Sequence, residues 1–149
     1  FTVYCEYGRP DMALYIFMKK IVKGEPIEVF NNGNMTRNFT YVGDVVDGVI
    51  GALSIPEACG ARVYNLGGEE VITLMNFIGL IEKNLGTVAE KMMKPLQIGD
   101  VSGTYADIKK AAADFGYAPK IKMEEGISRT VAWFLKHRDE MLALKETDI

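Results

Sequence analysis

Arg37 is the side chain best placed to do chemistry. It opens the run Arg37-Asn38-Phe39-Thr40-Tyr41, in which Phe39 and Tyr41 share one face and Asn38 and Thr40 the other. Val42 and Gly43 form the expected turn. Val45, Val46, Val49, Ile50 and Leu53 follow at helical spacing as an apolar stripe. Asp44 is expected to cap that helix, its carboxylate accepting from free N–H groups of the first turn. Arg37 therefore stands at the mouth of a strand–turn–helix unit. A guanidinium there offers parallel donors in a fixed fork, suited to a phosphate or a carboxylate. From local sequence alone, a surface ion pair with a nearby acid is the simpler account.

Other candidate groups are sparse. Tyr15/Lys19 and Tyr105/Lys109 have the Tyr-x-x-x-Lys spacing that sets a lysine one helical turn from a phenol and lowers its pKa. Tyr15 falls in an apolar helix and Tyr105 precedes a helix start, so both spacings read as coincidental. His137 lies on a basic helix with no nucleophile partner and reads as a solvated surface histidine. The sequence contains no Gly-x-Gly-x-x-Gly, no phosphate loop and no His/Cys pattern of zinc spacing.

Composition narrows the class. At 149 residues, 48% hydrophobic and 25% charged, the chain reads as one globular domain with a real core. A net charge of −3 gives no basic surplus, which argues against nucleic acid as a partner. No apolar run approaches a membrane span. No signal peptide is apparent, and Cys5 and Cys59 read as reduced thiols, so a cytoplasmic location is expected. The first residues, Phe1-Thr2-Val3-Tyr4, are already β-rich, as if the chain opened inside a structural element of a larger fold.

The elements that must position Arg37 follow in order. Residues 1–5 read as a strand and 6–11 as a loop. Residues 12–23 read as a helix, apolar nearly all round over 12–18 and closed by Gly24. Residues 27–30 form a short strand before the turn Asn31-Asn32-Gly33-Asn34. After the Arg37 unit, stopped by Pro56, Val63-Tyr64-Asn65-Leu66 reads as a buried strand. Thr73 caps a helix carrying Leu74, Phe77, Ile78, Ile81 and Leu85 on one face and ended by Gly86. A strand over 89–93, an irregular loop over 95–103 and a short helix capped by Asp107 come next. The last helix starts near Met123, with Ile127, Val131, Phe134 and Leu135 as its buried stripe, and 139–149 form a charged tail. Strands alternating with helices make the class α/β, with an α+β-like character.

Several stretches together resemble one family. Phe1-Thr2-Val3-Tyr4, Gly8-Arg9-Pro10-Asp11-Met12-Ala13, Arg37-Asn38-Phe39-Thr40-Tyr41 with Asp44, and Tyr64-Asn65-Leu66-Gly67 occur in its order and spacing. So do Gln97-x-Gly99-Asp100-Val101, Thr104-Tyr105-Ala106-Asp107-Ile108, Gly116-Tyr117-x-Pro119 and Glu124-Glu125-Gly126-Ile127. The chain resembles the C-terminal half of extended short-chain dehydrogenase/reductase nucleotide-sugar epimerases, of the UDP-glucuronate 4-epimerase kind. It departs from them at Cys5-Glu6, where the family has Gly-Pro, at Asn38 for an aspartate, and at Gly43 for an acid.

The resemblance implies a small substrate-binding domain over 1–149 that lacks the Rossmann half. It also implies that residues 1–24 pack on that absent half. Arg37 would hold the UDP phosphates, Gln97 would lie beside them, and Asp100 would bind the ribose. Thr2 and Arg9 would face the sugar and its carboxylate, Val29 with its neighbours Glu28 and Phe30 would border the uracil, and Thr104 would line the sugar pocket. The family's NAD and its catalytic Tyr and Lys belong to the other half, so no cofactor or catalytic residue is expected in this chain. Alone it should be inactive and bind a UDP-sugar weakly. Expected partners are a separate NAD-binding half, or a second copy joined through residues 1–24.

Overall fold

The structure, a computed structural model, describes residues 2–56 and 60–144. Phe1, Cys59 and the end of the expected tail lie outside the described residues. The elements are β1 (Thr2–Tyr4), α1 (Ala13–Lys23), β2 (Ile27–Val29), a 3-10 turn (Phe30–Gly33), β3 (Thr36–Tyr41) and α2 (Val42–Leu53). They continue as β4 (Val71–Thr73), α3 (Leu74–Leu85), β5 (Lys91–Met93), α4 (Lys109–Phe115), α5 (Met123–Lys136) and α6 (Arg138–Ala143). β3 is central in a three-stranded sheet of order β1-β3-β4, parallel to β1 and antiparallel to β4, while β2 and β5 form a separate parallel pair. The mixed α/β class read from the sequence is the class observed.

The core forms where three amphipathic helices bury their apolar stripes together. Phe77, Ile78 and Ile81 of α3 meet Ile127, Val131 and Phe134 of α5, all with essentially no exposed surface. Each such side chain contributes about 1.5–3 kcal/mol on burial. Phe39 of β3 stacks on Phe77 with centroids 4.5 Å apart, which fixes the sheet against α3. Thr73 caps α3 as expected, accepting from the Asn76 N–H at 3.2 Å. Gly24 and Gly86 close α1 and α3 in the left-handed conformation.

Over residues 2–24, Val3 and Tyr7 are exposed, but the apolar stripe of the helix is turned inward. α1 turns Leu14, Tyr15, Phe17, Met18 and Ile21 into the chain's own core, and Tyr4 is buried beside it. Tyr15 and Lys19 do not form a dyad. The Tyr15 hydroxyl donates to backbone carbonyls of Cys5 and Glu6 and accepts from the Gly8 N–H, whereas Lys19 donates to the Leu144 carbonyl.

The exposed apolar face belongs instead to α2. Val46, Val49, Ile50 and Leu53 are 49%, 51%, 61% and 81% exposed. The inward face of that helix is made of small and charged residues. A Cβ on Gly48 would strike Leu66 and Tyr117, and one on Gly51 would strike Phe115, so glycines let the helix approach closely. Asp44 is not the cap and no turn separates β3 from α2. The helix begins at Val42, and the buried Asp44 carboxylate accepts from the backbone N–H of Lys120 and Ile121 at 2.8 and 3.1 Å.

Four further expectations are revised. Val63-Tyr64-Asn65-Leu66 runs as irregular chain, with Val63 exposed, and the third strand of the sheet comes later, as β4. The Asp107 carboxylate lies one position before the cap of α4 and accepts from the Lys109 N–H. Leu135 is exposed rather than part of the buried stripe. His137 is half-buried, stacked on Trp133 at 4.5 Å, with Nδ1 against the Trp133 carbonyl.

Two measurements follow from this packing. Asp44→Ala orphans two backbone donors and is expected to lower stability by about 2 kcal/mol, roughly 5 °C in Tm, in thermal or urea unfolding. Burial pushes the Tyr15 and Tyr117 phenols up to about 12, and burial, then neighbouring Tyr41, raises Tyr4 as well. A folded-state pKa above the unfolded value of about 10 means that this stability is intact below pH 10 and lost as pH rises toward 12. Melting temperature against pH, read beside tyrosinate absorbance, should show unfolding and phenol ionisation together. Ionisation of Tyr4, Tyr15 or Tyr117 near pH 10 in the folded chain, read as the absorbance lost in the matching Tyr→Phe variant, would contradict it.

Candidate functional site

β3 places Arg37 at one end of the sheet, and register places Thr2 near it. Thr2 pairs with Phe39, two positions along, and paired residues of parallel strands share a face. Arg37, Phe39, Thr2 and Tyr4 therefore line the same side. The loop of residues 94–103 is stitched to the start of β3, with the Thr36 N–H donating to the Ser102 carbonyl at 2.8 Å and the Thr104 N–H to the Thr36 carbonyl at 3.3 Å. This tie brings Asp100 to Arg37. The Asp100 N–H in turn donates to the Gln97 carbonyl at 3.1 Å, closing a turn that aims the carboxylate inward.

A cavity of about 210 Å³ opens here. Its walls are mostly apolar, from Met12, Leu14, Phe17, Phe30, Met35, Phe39, Leu74 and Phe77, with Thr2 and the Tyr15 ring. Its charged lining residues are Glu28, Arg37 and Asp100. Arg37 Nη2 donates to Asp100 Oδ1 at 2.7 Å, and Nη1 donates to the Thr36 carbonyl at 2.9 Å. The two side chains are 22% and 32% exposed. Glu28 Oε1 lies 3.6 Å from Lys94 Nζ.

The structure thus gathers three of the sequence-derived candidates, Thr2, Arg37 and Asp100, around one cavity. Val29 points into the core and leaves the wall to its neighbours Glu28 and Phe30. Gln97 is exposed and off the wall. Thr104 is half-buried beside Thr36, also off the wall, with a buried Oγ1 that has no hydrogen-bond partner. Arg9 is 62% exposed and paired with Asp11, Nε to Oδ1 at 3.0 Å, which holds the Asp11 carboxyl below the usual range. Glu6 accepts from the Tyr41 hydroxyl at 2.7 Å. Sequence reasoning missed the aromatic wall. The alternation that put Phe39 on the face of Arg37 was the available signal.

A dinucleotide pyrophosphate binds, where a fold holds one, at a strand–helix junction. Between β1 and α1 the Gly8 N–H is used by Tyr15, while β3 runs directly into α2 and β4 into α3. None of these junctions carries the glycine-rich loop of a dinucleotide-binding fold among the described residues. No chemical step is assigned through a dinucleotide on this chain.

The chain is similar to several known proteins. Residues 1–67 match the NAD dependent epimerase/dehydratase family. An uncharacterised protein of Methanocaldococcus jannaschii is 50% identical over 97% of this chain and 44% of its own length. UDP-glucuronate 4-epimerase 2 of Arabidopsis thaliana is 37% identical over 91% of this chain and 35% of its own. The crystal structure of UDP-glucuronic acid 4-epimerase from Bacillus cereus, in complex with UDP-glucuronic acid and NAD, superposes with a TM-score of 0.85 at 32% identity. That superposition covers 91% of this chain and 43% of the Bacillus enzyme. The chain spans less than half the length of these relatives. It is a homologue of part of the UDP-glucuronate 4-epimerases and has the fold of the NAD-dependent short-chain dehydrogenase/reductase epimerases.

Proposed function

We propose that this chain forms the nucleotide-sugar-binding wall of a UDP-glucuronate-type 4-epimerase. The observation that carries the reading is the meeting of Arg37 and Asp100, 63 positions apart in sequence, at the mouth of a largely apolar cavity. A pyrophosphate needs a fork of donors, which Arg37 supplies, and ribose hydroxyls need an acceptor, which Asp100 supplies. Glu28 and Phe30 border the base, and Thr2 lies toward the sugar. Thr104 and Gln97 act from behind the wall by holding the loop that carries Asp100. Arg9 reaches a sugar carboxylate only by leaving Asp11, an exposed pair that costs little to open. The hydride chemistry at the sugar C4 resides in the NAD-binding half of such an enzyme, so this chain alone binds and does not turn over.

Calorimetry and thermal shift with UDP and UDP-glucuronate test the reading. Weak binding is expected, and Arg37→Gln should weaken it about tenfold or more, the loss of a charge-assisted hydrogen bond. A melting temperature unmoved by millimolar UDP-glucuronate would sink it.

The exposed stripe of α2 supports a second reading, a non-catalytic protein that self-associates. Apolar patches of this kind drive association. If it holds, sedimentation at micromolar concentration shows a dimer or larger species that Ile50→Glu with Leu53→Glu dissolves. A monomeric wild-type chain excludes it.

A further inference from the structure

We propose that Tyr15 is a positioning residue. From inside α1, its hydroxyl sets the path of the loop between β1 and α1, and with it the sugar end of the binding wall. This rests on the nucleotide-sugar reading above and deepens it.

The loop's own sequence does little to fix its path. Cys5-Glu6 stand where the family has Gly-Pro, so the proline ring that would lock one φ is absent. The backbone is held by a side chain instead. The Tyr15 oxygen lies 2.7 Å from the Cys5 carbonyl and 2.5 Å from the Glu6 carbonyl, and it accepts from the Gly8 N–H at 3.0 Å. A phenol has one proton, so the two carbonyls share it while a lone pair takes the amide. Backbone groups from residues 5, 6 and 8 thus converge on a side chain that is 1% exposed. The approach is tight. A Cβ on Gly8 would lie 2.6 Å from the Tyr15 ring, so glycine is needed there for contact. Gly8 and Tyr15 both line the cavity, and Arg9 follows directly. Two outer anchors hold the loop's side chains. The Tyr41 hydroxyl donates to the Glu6 carboxylate at 2.7 Å, and Tyr7 packs on Trp133 with centroids 4.9 Å apart.

The Arg37–Asp100 end is built separately. Its residues come from β3 and the 94–103 loop, and none of their hydrogen bonds among the described residues reaches residues 5–9. Removing the Tyr15 hydroxyl therefore divides the two ends. Tyr15→Phe keeps the ring in the core and in the cavity wall, but it leaves the Gly8 N–H and two carbonyls without their partner. Backbone groups orphaned in this way move to find new partners or water. Phosphates and ribose then keep their contacts, while the sugar loses a wall of fixed shape.

Titration calorimetry on the whole chain compares UDP with UDP-glucuronate for wild type, Tyr15→Phe and Tyr117→Phe. Tyr117 is the control, a buried tyrosine off the cavity wall whose hydroxyl donates to the Gly67 carbonyl. Wild type should bind UDP-glucuronate more tightly than UDP. Tyr15→Phe should cut that preference about fivefold or more and leave UDP within about twofold, the loss expected of one buried hydrogen-bonding group. Tyr117→Phe should leave the preference unchanged. Trp133, the single tryptophan, reads the loop through Tyr7, so its emission should shift in Tyr15→Phe and not in Tyr117→Phe. Gly8→Ala pushes the loop off the ring with the hydroxyl intact; it carries the same expectation and replaces Tyr15→Phe if that variant does not fold. Equal loss of both ligands, an unchanged preference, an unshifted emission or a wild type without preference overturns the positioning role and leaves the nucleotide reading standing. Absence of binding of either ligand to wild type at millimolar concentration overturns both.

Discussion

β3 has no free face, and the rest of the domain is arranged around that constraint. One side carries Phe39 onto Phe77 and the core. The other carries Asn38 and Thr40, both fully buried, so their polar atoms need partners from the chain that covers them. The segment around Gly67-Gly68 supplies partners for Asn38 Nδ2 and Thr40 Oγ1, while the buried Asn38 Oδ1 has none. Asn38 Nδ2 donates to the carbonyls of Gly68 and Glu70, and the Gly68 N–H donates to Thr40 Oγ1. The approach is close enough that a Cβ on Gly68 would lie 2.4 Å from the Phe39 carbonyl oxygen. Glycine is therefore needed there for contact with backbone. Once that segment is pinned, Glu70 stands before the start of α5 and Asp44 holds the 120–121 amides, so the C-terminal half docks on the same strand.

The same constraint separates what the sequence disclosed from what it concealed. Period-two alternation in 37–41 identified the strand, and helical spacing identified α3 and α5, because those patterns follow from backbone geometry. Alternation does not say which face is buried, and here the polar face is. The stripe on α2 was legible as a helix but not as an exposed one. Its glycines carry the packing, and a residue without a side chain contributes nothing to an apolar pattern. Asp44 has the composition of a cap and the environment of a cross-link 76 positions away in sequence, a distinction that no local rule contains. Val63-Tyr64-Asn65-Leu66 has strand propensity without a ladder partner among the described residues, and propensity yields to context.

The simple reading of Arg37 as one member of an ion pair is what its hydrogen bonds show, and its partner is Asp100, the other residue that the resemblance singled out. The candidates that fell off the wall did so for identifiable reasons. Val29 lies in a strand whose alternation sends its side chain inward, so only its neighbours reach the cavity. Arg9 has an acid two positions on, and a short-range pair forms before a longer reach does. Cavity walls built from Met12, Phe30, Met35 and Leu74 come from separate stretches of the chain, and only the fold brings them together.

Those walls also determine what the charged pair can accomplish. An apolar cavity lowers the local dielectric, which strengthens the Arg37–Asp100 attraction and raises the cost of leaving either partner alone. Phe39 belongs to this balance as well. It lies on the face of Arg37, stacks on the core through Phe77, and lines the cavity, so packing of the hydrophobic core and the geometry of the charged pair are set by the same short strand.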